Sequence, residues 1–296
     1  MSITSRIISN SISGRLTGSS ISGKLYGTGV SGRFIDAPTI IVNPYGPEAT
    51  ALFARMTDQP STALKELIDK TISDLKTAGI WDITDKFHKW DLHTEQASLL
   101  DWKNAVHDAS NNGATFTPKY GVTTVQSVSY VDLNFIPSTD CTYATLNDIG
   151  FSLDDISGNP TLGPNFGSYD KADTTFLGFR TFDIRSLRPW VWLNSKAQKV
   201  WNYNAGINLY YSERKDNTTV RIYKAASTST FGTSTSVAMT DNDIIIGGYI
   251  ASDGNIGAKN NIDTATFWLG KAFSDAQRAS WYDIINYWKA NIDSTF

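Results

Sequence analysis

The sequence predicts a mainly β protein: a repetitive β stem at the N terminus, a short helical segment, and an antiparallel β-sandwich closed by a C-terminal helix. Three observations carry this reading. A nine-residue spacing repeats through residues 3–34, short alternating apolar runs fill residues 114–269 with turn residues between them, and a Ser-x-x-Gln start signal precedes an apolar helical stripe near the end. A length of 296 residues suffices for one sizeable core plus a smaller element.

Aligned at the nine-residue spacing, the start reads Ile3-Thr4-Ser5-Arg6-Ile7, Ile12-Ser13-Gly14-Arg15-Leu16, Ile21-Ser22-Gly23-Lys24-Leu25 and Val30-Ser31-Gly32-Arg33-Phe34. Each unit alternates, with apolar first and fifth positions on one face and hydroxyl and basic residues on the other, as in a half-buried strand. Connectors such as Thr17-Gly18-Ser19-Ser20 supply the residues that turns require. Such short strands need a partner for their apolar face. Either identical chains wind together about a three-fold axis, or the strands form a sheet laid on the chain's own head. A basic residue recurs at the fourth position (Arg6, Arg15, Lys24, Arg33), and no acid occurs before Asp36. This ladder reads either as a solvated, edge-protecting face or as a surface for docking on an acidic particle.

The stem is expected over residues 1–36, and prolines 38, 44 and 47 mark a linker over 37–60. A helical segment packed on the head is expected over 61–113. Ser61 caps a helix whose Leu64, Leu67, Ile68, Thr71, Ile72 and Leu75 follow helical spacing to Gly79. A shorter helix through Ile80, Trp81, Ile83 and Phe87 and a third helical or turn segment from Thr94 to Leu100 complete it. His88, His93 and His107 follow near several acids. Their spacing matches no HExxH-type arrangement, so ordinary packing is expected rather than a metal site.

The head, residues 114–296, is read from the runs Ser127 to Leu133, Phe176 to Phe182, Pro189 to Leu193, Gly206 to Ser212, Thr218 to Lys224, Asp243 to Ile250 and Thr264 to Leu269. Short strands without intervening amphipathic helices indicate a sandwich of the jelly-roll kind. Ser274 and Gln277 form a capping box, after which Trp281, Ile284, Ile285 and Trp288 line one face of the final helix.

Lys and Arg number 26 against 29 acids, a formal charge of -3 that gives no basis for generic nucleic-acid or anionic-membrane binding. Cys141 is the lone cysteine, which excludes an intrachain disulfide and a Cys-based zinc cluster. No apolar run approaches a membrane span and no signal peptide is evident, so folding in a cytoplasm is expected. The head carries no Glu-x-Asp-x-x-Glu triplet, Asp154 and Asp155 point apart on a strand, and Glu213 is its lone Glu. The expectation is a chain without catalytic residues, cofactor or metal. Nine tryptophans make glycan stacking the rival to a purely structural role. Trp190 and Trp192 share strand parity, and core or interface packing is the expectation for both. Trp201, Tyr203, Tyr249, Asp253 and Asn255 are the candidate glycan contacts.

The ending Leu269-Gly270-Lys271-Ala272-Phe273-Ser274-Asp275-Ala276-Gln277 resembles the close of the concanavalin A-like lectin/glucanase, or laminin-G-like, family, where a last strand runs into such a helix start. That likeness covers about the last 30 residues. The stretch from Ala54 to Tyr120, including Trp81-Asp82, His93 to Lys103 and Ala114 to Pro118, resembles a segment preceding such a jelly roll in structural proteins of tailed crAss-like phages. The resemblance implies a virion subunit assembled in the host cytoplasm: a trimeric head fibre, capsid-decorating protein or tail appendage. It also implies contacts with other copies and other virion proteins through the repeats, and the glycan reading adds a host surface glycan as partner.

Overall fold

The computed structural model describes residues 44–156, 164–180, 190–195, 199–200, 208–224, 227–231, 234–257 and 260–296. The stem repeats, with Arg6, Arg15, Lys24 and Arg33, lie outside the described residues, as do Trp201 and Tyr203.

In chain order the elements are α1 (Pro47–Arg55), α2 (Thr62–Thr77), β1 (Thr84–Lys89), α3 (Glu95–Leu99), β2 (Ser110–Asn112), β3 (Thr115–Thr117), β4 (Gly121–Thr124), β5 (Tyr130–Asp132), α4 (Pro137–Asp140), β6 (Ile149–Asp155), β7 (Phe166–Tyr169), β8 (Phe176–Arg180), β9 (Trp190–Trp192), β10 (Lys199–Val200), β11 (Asn208–Arg214), β12 (Val220–Lys224), β13 (Ser227–Phe231), β14 (Ile245–Ile246), β15 (Tyr249–Ile250), β16 (Ile256–Gly257), β17 (Ile262–Gly270) and α5 (Asp275–Asn291). The protein is mainly β: two sheets form a sandwich and a helix closes the chain. One sheet runs β13-β12-β11-β6-β17-β4-β3, with β1 also paired to β17. The other runs β10-β9-β8-β7-β14-β5-β2, with β15 and β16 attached at β7.

The period of two along each strand sorts side chains between two cores. On β17, Phe267 and Leu269 enter the inter-sheet core with Phe151, Leu153, Phe166, Phe179 and Ile246. Trp268, between them, points the other way and meets Trp281, Ile285 and Trp288 of α5. The first sheet is thus buried on both faces, which is why Phe267-Trp268-Leu269 reads as an unbroken apolar run. Trp281 Nε1 donates to Ser152 Oγ at 3.0 Å and Lys289 Nζ to Asp154 Oδ1 at 2.6 Å, fixing α5 to β6. Ser274 caps the helix as expected: its hydroxyl accepts from Gln277 N–H, and Gln277 Oε1 accepts from Ser274 N–H.

Two expectations are corrected. Residues 80–87 do not continue as a helix: a 3-10 turn at Trp81–Ile83 leads straight into β1. Its Phe87 pairs with Trp268 across the ladder, so tertiary pairing overrides a helical spacing of apolar residues. The linker reading of 37–60 also gives way within its second half, where Pro47 starts α1 and Ala49, Leu52 and Phe53 are buried against the helical layer.

Candidate functional site

The first sheet is covered by helices, so the second sheet's outer face is where a site can form. On β8, Leu177 and Phe179 fill the inter-sheet core; Phe176, Gly178 and Arg180 therefore lie on the outer face. By the same alternation β7 places Gly167 and Tyr169 there, and β9 places Trp190 and Trp192 on either side of the inward Val191.

These rings form one connected set. Tyr169 and Phe176, cross-strand partners, stack with centroids 4.3 Å apart. Trp192 meets Phe176 edge-on at 5.1 Å, and Trp190 meets Trp192 at 5.9 Å. From the hairpin of β15 and β16, Tyr249 packs on Tyr169 at 5.4 Å and on Phe176 at 5.9 Å. The Arg180 guanidinium lies over the Trp190 ring, 5.3 Å from its centroid. Phe176 is buried, whereas Tyr169, Trp190 and Tyr249 are half-buried and keep part of each ring at the surface.

Three glycines explain why these rings lie close to the sheet. A Cβ at Gly167 would sit 2.4 Å from the Phe176 ring, and one at Gly178 would sit 2.6 Å from it. At Gly257 it would sit 2.2 Å from the Tyr249 ring. The Phe176 and Tyr249 rings can approach the backbone there because those positions have no side chains.

Polar groups fringe the aromatic set. Asn242 Nδ2 donates to Tyr169 O and Ala251 O, both at 3.1 Å, holding the hairpin against β7. At the hairpin tip, Asn255 donates from its backbone N–H and side chain to the two oxygens of Asp253, at 3.0 and 2.8 Å. Those donors hold the Asp253 carboxyl below the usual range. Burial, followed by neighbouring Tyr249, pushes the Tyr169 phenol up, so it stays a protonated donor at neutral pH.

Of the residues singled out from sequence, Tyr249 belongs to this set, and Asp253 and Asn255 stand on the same hairpin, paired with each other. Trp190 and Trp192 share the outer face rather than the core. The sequence places Phe176 and Gly178 in a strand without marking them as site residues and does not single out Tyr169, Gly167 or Gly257; the Phe-Leu-Gly-Phe-Arg alternation of β8 is the available signal.

Glu213 is buried in a second polar cluster on the first sheet. Tyr223 and Tyr211 hydroxyls donate to it at 2.9 and 3.1 Å, and Arg221 and Lys215 approach to 3.3 Å. Burial and the adjacent carboxylate push the Tyr223 phenol up to about 12. Tyr211 Oη in turn accepts from Phe273 N–H at 2.6 Å, so the cluster ties β11 and β12 to the start of α5.

The histidines do not converge. His93 Nε2 reaches Asp58 O at 2.8 Å, His107 Nδ1 reaches Asn134 O at 2.8 Å, and His88 is buried beside Trp90. Among the described residues no group of three or more His, Cys, Asp or Glu could hold a metal ion, and no helix is long and apolar enough to cross a membrane.

No protein-family model and no curated protein matches the chain. Among solved structures it is similar to Trypanosoma rangeli sialidase in complex with a difluoro-KDN ligand, at 8% identity and a TM-score of 0.48, covering 76% of this chain and 40% of the sialidase. A mutant of that sialidase displaying trans-sialidase activity matches at 13% identity and a TM-score of 0.46, over 76% and 40% of the two chains. Domain 4 of an extracellular arabinanase from Geobacillus stearothermophilus, in complex with arabinotriose, matches at 14% and 0.43, over 68% of this chain and 98% of that domain. The expectation of a chain without enzymatic activity is corrected here, because these neighbours are a sialidase and part of an arabinanase. A missing carboxylate triplet is no ground for excluding activity; equally, likeness at such identities assigns no reaction to this chain.

Proposed function

We propose that the chain is a glycan-binding subunit of a bacteriophage particle, with the outer face of the second sheet as its carbohydrate platform. The aromatic set of Tyr169, Phe176, Trp190, Trp192 and Tyr249 carries the reading. The half-buried Tyr169, Trp190 and Tyr249 rings, braced by the buried Phe176 and Trp192, offer apolar surface against which a sugar's C–H groups can pack, and the Tyr hydroxyls and the Asp253–Asn255 pair offer polar partners at the edges. Because the supporting packing comes from the sheet itself, little ordering entropy is lost on binding.

A second reading, a structural subunit of the same particle, is favoured by the nine-residue repeat. Four strand-like units with apolar faces suit chains wound into a trimeric stem, and Arg6, Arg15, Lys24 and Arg33 suit docking on an acidic virion partner. The two readings combine: the stem attaches and assembles, and the sandwich faces a host surface glycan.

The test is a glycan array probed with the whole protein, followed by titration of the best ligand against Trp190→Ala and Tyr249→Ala. Each variant is expected to weaken binding roughly tenfold, about 1.4 kcal/mol, with an unchanged melting temperature. Undiminished affinity in both would remove this face from consideration.

A further inference from the structure

Lys86 and Asp101 form an ion pair whose side chains both have 0% exposure, with Nζ 3.2 Å from Oδ2. The surroundings are unusual for a simple ion pair. Lys86 Nζ donates to the carbonyl oxygens of Leu133, at 2.8 Å, and His107, and the Phe135 ring lies 5.5 Å away. Two donated N–H bonds are what a neutral amine can make; its remaining tetrahedral direction is then a lone pair on the side left for Asp101. On the carboxyl, Oδ1 accepts from Lys103 N–H at 2.8 Å and from Phe87 N–H at 3.3 Å. Oδ2, facing the amine, accepts no hydrogen bond meeting normal geometry among the described residues.

We infer that Lys86 and Asp101 are a site of spontaneous amide formation, an internal cross-link tying β1 to the turn after α3. The ammonium first passes one proton to Oδ2, leaving a neutral amine and a carboxylic acid. The amine lone pair then attacks Cγ, and negative charge gathers on Oδ1, where the two backbone N–H groups stabilise it as an oxyanion hole does. Collapse of the tetrahedral intermediate breaks the Cγ–Oδ2 bond. Oδ2 leaves as water, carrying its own proton and one from the nitrogen, so one C–N bond replaces one C–O bond with no oxidation or external reagent.

Burial favours this sequence. It lowers the Lys86 pKa and raises that of Asp101, so desolvation favours the neutral pair that reacts. It also holds the reacting groups together without solvent reorganisation. The neighbouring buried pair of Lys89 and Asp91 lacks this arrangement. There Trp288 Nε1 donates, at 2.8 Å, to the same oxygen, Asp91 Oδ2, that faces Lys89 Nζ at 3.3 Å. Lys89 is therefore an internal control.

The experiment is denaturing intact-mass measurement of the full chain, then trypsin digestion and fragment sequencing. The expected chain is lighter than its sequence by one water, resists cleavage after Lys86 but not after Lys89, and yields a branched peptide joining Lys86 to Asp101. Lys86→Arg should restore the full mass. A full-mass wild-type chain cut after Lys86 overturns the inference. So does a water loss mapped to a succinimide at Asp253-Gly254 without the branched peptide, and both results are read from wild-type protein alone.

Discussion

His88 shows how one residue makes stability depend on pH. Its ring is buried against Trp90, no hydrogen bond of normal geometry reaches either ring nitrogen among the described residues, and burial holds its pKa well below the ordinary value. In the unfolded chain the imidazole titrates near 6.5. Below that pH the unfolded state binds a proton that the folded state refuses, so His88's stabilising contribution is complete above the unfolded pKa and is lost as pH falls beneath it. The slope for one such group is at most about 1.4 kcal/mol per pH unit. Buried Asp85 and Asp91, whose pKa values are raised, act in the opposite sense, so the comparison must be with His88→Leu. Urea unfolding at pH values from about 7 down to about 5 should show wild type losing stability relative to the variant. Parallel curves would mean that His88 does not titrate in this way.

At the scale of elements, α5 was legible because its start signal and its stripe are both local. Replacing Ser274 by Ala removes the acceptor for Gln277 N–H and should cost about 1 kcal/mol in unfolding free energy, seen as a lower urea midpoint at unchanged slope. An unchanged midpoint would show that the cap is redundant. The α2 stripe was equally readable, from Leu64 through Leu75. Strands were readable where one face is apolar and the turns are marked, as in β11 and β12. β6, the strand between β11 and β17, is absent from the runs read from sequence although Ile149, Phe151 and Leu153 alternate, because Asp154 and Asp155 break the apolar pattern at its end. β1 reads as helix in the sequence because Lys86 and Lys89 are buried cations whose partners, Asp101, Leu133 and Thr266, come from other segments. The aromatic face was only half legible for a similar reason. Tyr249 and the two β9 tryptophans could be named, but their meeting through Phe176 depends on strand order, which spacing does not encode.

At the scale of the whole molecule, the assembly reading depends on the repeats. Light scattering of the full chain against a chain beginning at Pro44 should give a trimer that falls to monomers. A monomer in both cases would end the proposal of a self-assembling stem. Within the first sheet, β17 borders β6 on one side and both β4 and β1 on the other. Its partners are made early in the chain, and it is made late. During synthesis β1, β4 and β6 each emerge with a hydrogen-bonding edge whose partner is β17, and the first sheet can close only once β17 follows. Closure of the first sheet is therefore dominated by distant pairings, and a chain that ends before Ile262 leaves those edges open to aggregation.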